Sequence, residues 1–282
     1  MAYSEVRKLI AKLSNQPDMH AALGLADDGT VRGRFLELDL SSAFQPIFAI
    51  RTRQPAGYDA YARPRTANGE VISPWGLFAQ AADDATLVRL DRLCRLVHTL
   101  NYFSQAQADL PLYLRVHGRL LAAITQDHGQ AFRRMLEALG VPPSRIVLQL
   151  PSEAAHDVLL AGVILRNYRK AGFQAGIHAN DVREAQSLLH LHAPDVLKLA
   201  PHAIASPETE LPPLLKTAAE RGSRVIFTCV EDDATLDRLT QVGADYVQGY
   251  LFGMPAPTLD AAQSGGPHRP APAPGGASPP QA

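Results

Sequence analysis

The 282-residue chain has little of several things, and each shortage excludes a class of protein. Cysteine occurs only twice, at Cys94 and Cys229, which excludes a disulfide-stapled scaffold and agrees with a reducing compartment. No apolar run reaches the roughly 18 residues that a membrane span needs. Glu5, Arg7, Lys8 and Lys12 interrupt the N-terminal stretch, so no secretory leader is expected. Net charge is also scarce: it is −1, with a pI of about 6.8, so neither nucleic acid nor a membrane surface is expected as a partner. What is present is a hydrophobic content of 46%, enough for a sizeable core in a cytoplasmic protein.

From Phe35 to about Pro257, short apolar runs alternate with helical patterns. The strands expected are Phe44–Ile50, Gly57–Arg63, Leu112–His117, Ile146–Leu150, Phe173–His178, Val196–Leu199, Arg224–Thr228 and Asp245–Val247. Each is short, apolar and bounded by turn residues, as buried parallel strands are. Residues 76–104 carry Leu87, Leu90, Leu93, Leu96, Val97 and Leu100 as one helical stripe. Ser152 is expected to cap a helix running to Lys170, with Gly172 ending it, and Asp232 and Gly243 bracket another. Eight strands in one alternation predict an α/β fold, a modified (β/α)8 barrel, and the short turn at Arg51–Pro55 marks its first two strands as irregular. Residues 1–35 then form an N-terminal helix (Val6, Leu9, Ile10 and Leu13 on one face) and linker, and residues 36–257 the barrel. Residues 258–282, dense in Pro, Gly and Ala, form a disordered tail.

Barrels of this kind carry their chemistry at the C-terminal ends of the strands. Here those ends hold Asp59, Arg63, Arg115, His117, Gln149, His178, Lys198, Thr228 and Gln248, a set that predicts a lined pocket. His190 and His192 resemble a metal pair, but residues two apart do not share a helix face. Trp75, after Pro74, reads as part of a packed loop.

Several pieces in order resemble the EAL domain, a family of cyclic di-GMP phosphodiesterases and their inactive relatives. They are Phe44-Gln45-Pro46-Ile47, Tyr58-Asp59-Ala60-Tyr61-Ala62-Arg63, Asp195-Val196-Leu197-Lys198, Val230-Glu231 and Gln248-Gly249-Tyr250-Leu251-Phe252-Gly253. The resemblance implies an EAL-type barrel that binds the cyclic dinucleotide across its C-terminal face. It also implies, in active members, two divalent metals (Mg or Mn) held by carboxylates and one asparagine. This chain departs from that set. Asp59 matches the naming glutamate, Arg115 the asparagine, Gln149 and Ser152 two further glutamates, His178-Ala179 the paired aspartates, and Thr228 the last glutamate. Asn180-Asp181-Val182-Arg183 stands where the family reads Phe-Gly-Thr-Gly, and Tyr61 stands for a leucine. So few carboxylates do not balance two divalent ions, and no metal or catalytic residue is expected, with Asp59 and Lys198 vestigial.

Matches to ligand-contacting positions survive at Gln45, Arg63, Lys198, Glu231, Gln248 and Pro255. The resemblance implies that Arg63 donates to a phosphate, Lys198 serves as a phosphate cation, Glu231 accepts from a guanine edge, and Leu77 or Phe78 packs on a base. For Arg115 two roles stand open: a guanidinium in place of a metal charge, or an ion pair with Asp59. Two functions follow. One is a metal-independent cyclic di-GMP receptor; the other is a protein-interaction module, acting through a protein partner or a homodimer, that no longer binds nucleotide.

Overall fold

Two long strands found the barrel, and the computed structural model shows why they run antiparallel. Strand β3 (Leu38–Ala49) turns back through residues 50–53 into β4 (Gln54–Thr66), and Arg53 takes a left-handed conformation (φ 52°) to close the turn. A connection this short joins only antiparallel neighbours. The structure describes residues 22–105, 108–121, 128–204 and 210–264, together with Lys8 and Ile10. After β4 come α1 (Pro74–Ala79), α2 (Asp84–Phe103), β5 (Leu112–Arg115), α3 (His128–Leu139), β6 (Ile146–Leu150), α4 (Val158–Lys170) and β7 (Gln174–Ala179). Then follow α5 (Val182–Leu191), β8 (Val196–Leu199), α6 (Pro201–Ile204), α7 (Leu211–Glu220), β9 (Arg224–Phe227), α8 (Asp233–Gln241), β10 (Tyr246–Val247) and α9 (Leu259–Ser264). Strands β4 to β10 pair in parallel sequence, and β3 lies antiparallel between β10 and β4, closing an eight-stranded barrel. This is the modified (β/α)8 architecture expected.

The barrel is plugged rather than open. Ile47, Tyr113, Val147, Val196 and Ile226, from five different strands, fill its interior and are almost wholly buried. Each aliphatic side chain there contributes about 1.5–3 kcal/mol by leaving water. The larger core lies between the strands and the helices, where α2 buries Leu87, Leu90, Leu93, Leu96, Val97 and Leu100 as its stripe predicts. Polar side chains above the plug are thereby confined to the C-terminal mouth.

Several expectations need correcting. Residues 22–35, expected as a polar connection, form a hairpin of β1 (Leu23–Leu25) and β2 (Val31–Phe35) that extends β3. Only one face of β2 is apolar: Val31 and Phe35 are buried, and Gly33 lies so close to α2 that a Cβ there would stand 2.9 Å from Val97. The single helix expected over 76–104 is two, because Asp83 accepts from Thr86 N at 2.7 Å and starts α2 afresh. Ser73 caps α1 with Pro74 at its first position, so Trp75 stands 79% exposed on a helix instead of in a packed loop. Ser152 opens a 3-10 turn, and Asp157, accepting from Leu160 N at 2.9 Å, is the cap of α4. Gly172 (φ 89°) ends that helix as expected. The loop Asn180–Arg183 has become a helix start: Asp181 accepts from Glu184 N, and Glu184 accepts from Asn180 N. Residues 259–264, assigned to a disordered tail, form α9 with Leu259 and Ala262 buried. Residues 265–282 and most of the N-terminal helix expected over 4–13 lie outside the described residues. Among the described residues, no helix is long and apolar enough to cross a membrane.

Candidate functional site

Because side chains alternate along a strand, β4 sends Asp59, Tyr61 and Arg63 to the barrel mouth while Ala60 and Ala62 pack outward. Asp59 is the centre of the floor. Its Oδ2 lies 2.6 Å from Lys198 Nζ and also receives Gln248 Nε2 at 3.2 Å and the Tyr61 hydroxyl at 3.3 Å, while Oδ1 receives Gln149 Nε2 at 2.8 Å. Lys198 also donates to Gln248 Oε1 at 2.9 Å, and its ammonium stands 5.2 Å from the Tyr113 ring centroid on top of the plug. Gln248 Nε2 reaches Gln45 Oε1 at 3.1 Å, and Gln45 Nε2 donates to the Gly253 carbonyl at 3.0 Å. One network therefore joins β3, β4, β6, β8 and the loop after β10. Burial alone would raise the Asp59 carboxyl; Lys198 and Arg115 outweigh it and hold the group below the usual carboxylate range. Burial, then Arg115 and Lys198, push the His178 imidazole well below its ordinary value, so it is neutral at pH 7.

Above this floor lies a pocket of about 330 Å³ lined by Gln45, Asp59, Tyr61, Arg63, Arg115, His178, Thr228, Glu231, Gln248 and Pro255, with Cys229, Gly249 and Tyr250 at its side. It falls at the low end of ordinary small-molecule sites. Most of the candidate residues thus meet. Three do not stand where expected. Lys198 is 1% exposed beneath the floor, its charge already engaged by Asp59, so it presents no free cation to a phosphate. Leu77 is wholly buried in the core and has no free surface for a base, and Phe78 stacks on His117 at 4.4 Å. His117 faces a second, largely apolar cavity on the α1–α2 side of β4, which shares Asp59, Tyr61 and Arg115 with the first. Of the two roles open for Arg115, the ion pair with Asp59 is not formed: Lys198 takes that carboxylate, and Arg115 makes no ion pair among the described residues. The structure adds Cys229 (φ 53°), beside Thr228, and Tyr250, inside Gln248-Gly249-Tyr250, to the residues at the mouth.

The donor set does not fit the divalent metal pair that the resemblance implies. The one carboxylate on the floor is engaged by an ammonium and three further donors, an arginine stands beside it, and Glu231 is out at the mouth. Among the described residues, no group of three His, Cys, Asp or Glu side chains is arranged to hold a metal.

A closed eight-stranded barrel with one antiparallel strand and a polar mouth over Gln45, Asp59, Lys198 and Gln248 defines an EAL-type barrel. The chain belongs to the EAL domain family, whose model matches residues 30–255. The FimX EAL domain of Xanthomonas citri, solved in complex with c-diGMP, is 23% identical with a TM-score of 0.64, over 78% of this chain and 88% of that one. The YkuI protein of Bacillus subtilis, solved with substrate c-di-GMP and calcium, is 25% identical with a TM-score of 0.65, over 80% of this chain and 57% of that one. An uncharacterized 76.5 kDa protein from the phbC 3′ region of Thiocystis violacea is 26% identical over 221 residues. That match covers 77% of this chain and 32% of the relative, so the chain spans about a third of that curated protein's length.

Proposed function

We propose that this barrel is a receptor for cyclic di-GMP that binds the nucleotide without metal and does not hydrolyse it. The observation that carries this is the closed state of Asp59, whose carboxylate is consumed by Lys198, Gln149, Gln248 and Tyr61. Two-metal hydrolysis needs ions that clamp the attacking and leaving oxygens, and this floor supplies an ion pair instead. Binding has better support. Arg63 and Arg115 line the pocket without an ion pair among the described residues, and a guanidinium grips a phosphodiester through two parallel bonds. Glu231 lines the same pocket, which supports it as the acceptor for a guanine edge. Two of the relatives named above, the FimX EAL domain of Xanthomonas citri and YkuI of Bacillus subtilis, were solved with cyclic di-GMP.

A receptor of this kind passes its state to a protein partner, or to a second copy of the barrel, through the surface around the mouth. Tyr61 favours the other reading, an interaction module without nucleotide, because its ring occupies space at the mouth and its hydroxyl is tied to Gln45 and Asp59. The experiment incubates purified protein with cyclic di-GMP and Mn and follows the products by chromatography, alongside a binding titration. Binding with no linear dinucleotide is expected. Product formed at enzyme-like turnover overturns the claim of inactivity, and no binding at millimolar ligand leaves the interaction module.

A further inference from the structure

We infer that this pocket selects a guanine nucleotide ending in a phosphate monoester over the cyclic diester, an inference that rests on the nucleotide-receptor reading and sharpens it. The argument starts from how charge is distributed around the mouth. Arg63 is on β4, and Arg115 ends the neighbouring strand β5, so both guanidiniums lie on one side. Among the described residues, Arg63 donates from Nη1 only to the carbonyl of Ala62, at 3.3 Å, and it stands 5.9 Å from the Tyr61 ring centroid. Neither arginine has an ion pair among the described residues, and the carboxylate nearest them, Asp59, is neutralised by Lys198. That side therefore offers two unspent cations.

Glu231 follows β9, which is four strands from β5 and three from β4 around the ring, so it stands across the mouth from the arginines. It is exposed and has no ion pair among the described residues either. The pocket thus has a cationic side and an anionic side. A guanylate matches that polarity, with phosphate toward Arg63 and Arg115 and the N–H donors of the base toward Glu231. Which phosphate fits best follows from charge. Each of the two diesters in the cyclic ring carries one negative charge, so the single diester that meets the arginine side satisfies one guanidinium fork. A terminal monoester carries about −1.5 to −2 at pH 7 and three acceptor oxygens, enough for two forks.

The experiment is a calorimetric titration in chelator with three ligands: cyclic di-GMP, the linear dinucleotide with a 5′-terminal phosphate (pGpG), and the same dinucleotide without that phosphate (GpG). We expect pGpG to bind more tightly than cyclic di-GMP, and about tenfold or more above GpG, as one charge-assisted bond pair contributes. Lowering the pH from 7.5 to 5.5 takes the monoester through its second ionisation, near pH 6, and shrinks the pGpG advantage while the diester is unaffected. Arg115→Gln, at an exposed position, removes most of that advantage with an unchanged circular dichroism spectrum. Equal affinity for pGpG and GpG, or a tighter cyclic ligand, overturns the inference and leaves the receptor intact. Binding of none of the three removes both.

Discussion

Replacing Lys198 with methionine keeps the unbranched apolar stem of the side chain and removes the ammonium that stands 2.6 Å from Asp59 Oδ2. The two side chains are 1% and 3% exposed, so water does not take over the lost partner. Breaking a buried ion pair from one side costs about 3–5 kcal/mol. Asp59 would still receive Gln149, Gln248 and Tyr61 and feel Arg115, which places Lys198→Met near the lower end, at about 3 kcal/mol. Asp59→Leu leaves Lys198 with Gln248 Oε1 alone and belongs near the upper end, at about 5 kcal/mol. The double variant removes both charges, so its cost falls well below the sum of the two. Urea unfolding of the four proteins, followed by circular dichroism and fitted with a common slope, reads these differences. Additive costs, or a Lys198→Met cost under about 1 kcal/mol as for a surface pair, refute the buried-pair reasoning. Acid supplies a second check. The Asp59 carboxyl is held below its ordinary 3.8, so its stabilisation is present above that value and is lost as pH falls through the folded value. The stability gap between the native chain and Asp59→Leu should therefore narrow below about pH 3.8.

Arg63→Ala should weaken nucleotide binding by about tenfold or more at unchanged stability, since its guanidinium lines the pocket and makes only one weak internal bond; titration calorimetry measures it, and undiminished binding ends its phosphate role. Gly249→Ala should destabilise the segment carrying Gln248, because a Cβ there would stand 1.9 Å from the Val230 carbonyl oxygen; a thermal melt no lower than the native one would contradict this packing. Asp232→Ala removes the cap that accepts from Thr235 N at 2.7 Å and should cost about 1 kcal/mol in urea unfolding with nucleotide affinity unchanged.

How far the sequence was legible depends on the range of the interaction. Ile146–Leu150 and Val196–Leu199 were read to the residue, because buried parallel strands are short apolar runs with turn residues on both sides. The hairpin at 22–35 was missed because Arg32 and Arg34 alternate with Val31, Gly33 and Phe35, and its apolar face is only three positions long. Local capping also decided cases that periodicity did not, as Asp83 and Asp157 show by starting helices where an unbroken stripe and Ser152 pointed elsewhere. At the mouth, the strand-end residues Asp59, Arg63, Arg115, His178, Thr228 and Gln248 came together as their register implies. The sequence could not say which cation Asp59 would choose. That pairing joins residues 139 apart, and it fell to Lys198 because β4 and β8 face each other across the barrel interior.

The most direct test is the affinity for cyclic di-GMP measured by titration calorimetry twice, once in chelator and once with Mn. A floor closed by Asp59 and Lys198 leaves the metal no role, so the two dissociation constants should agree, in the range below about 10 μM, or roughly 7 kcal/mol of binding free energy. Binding that appears only with Mn, or that releases linear product, would contradict a metal-independent receptor.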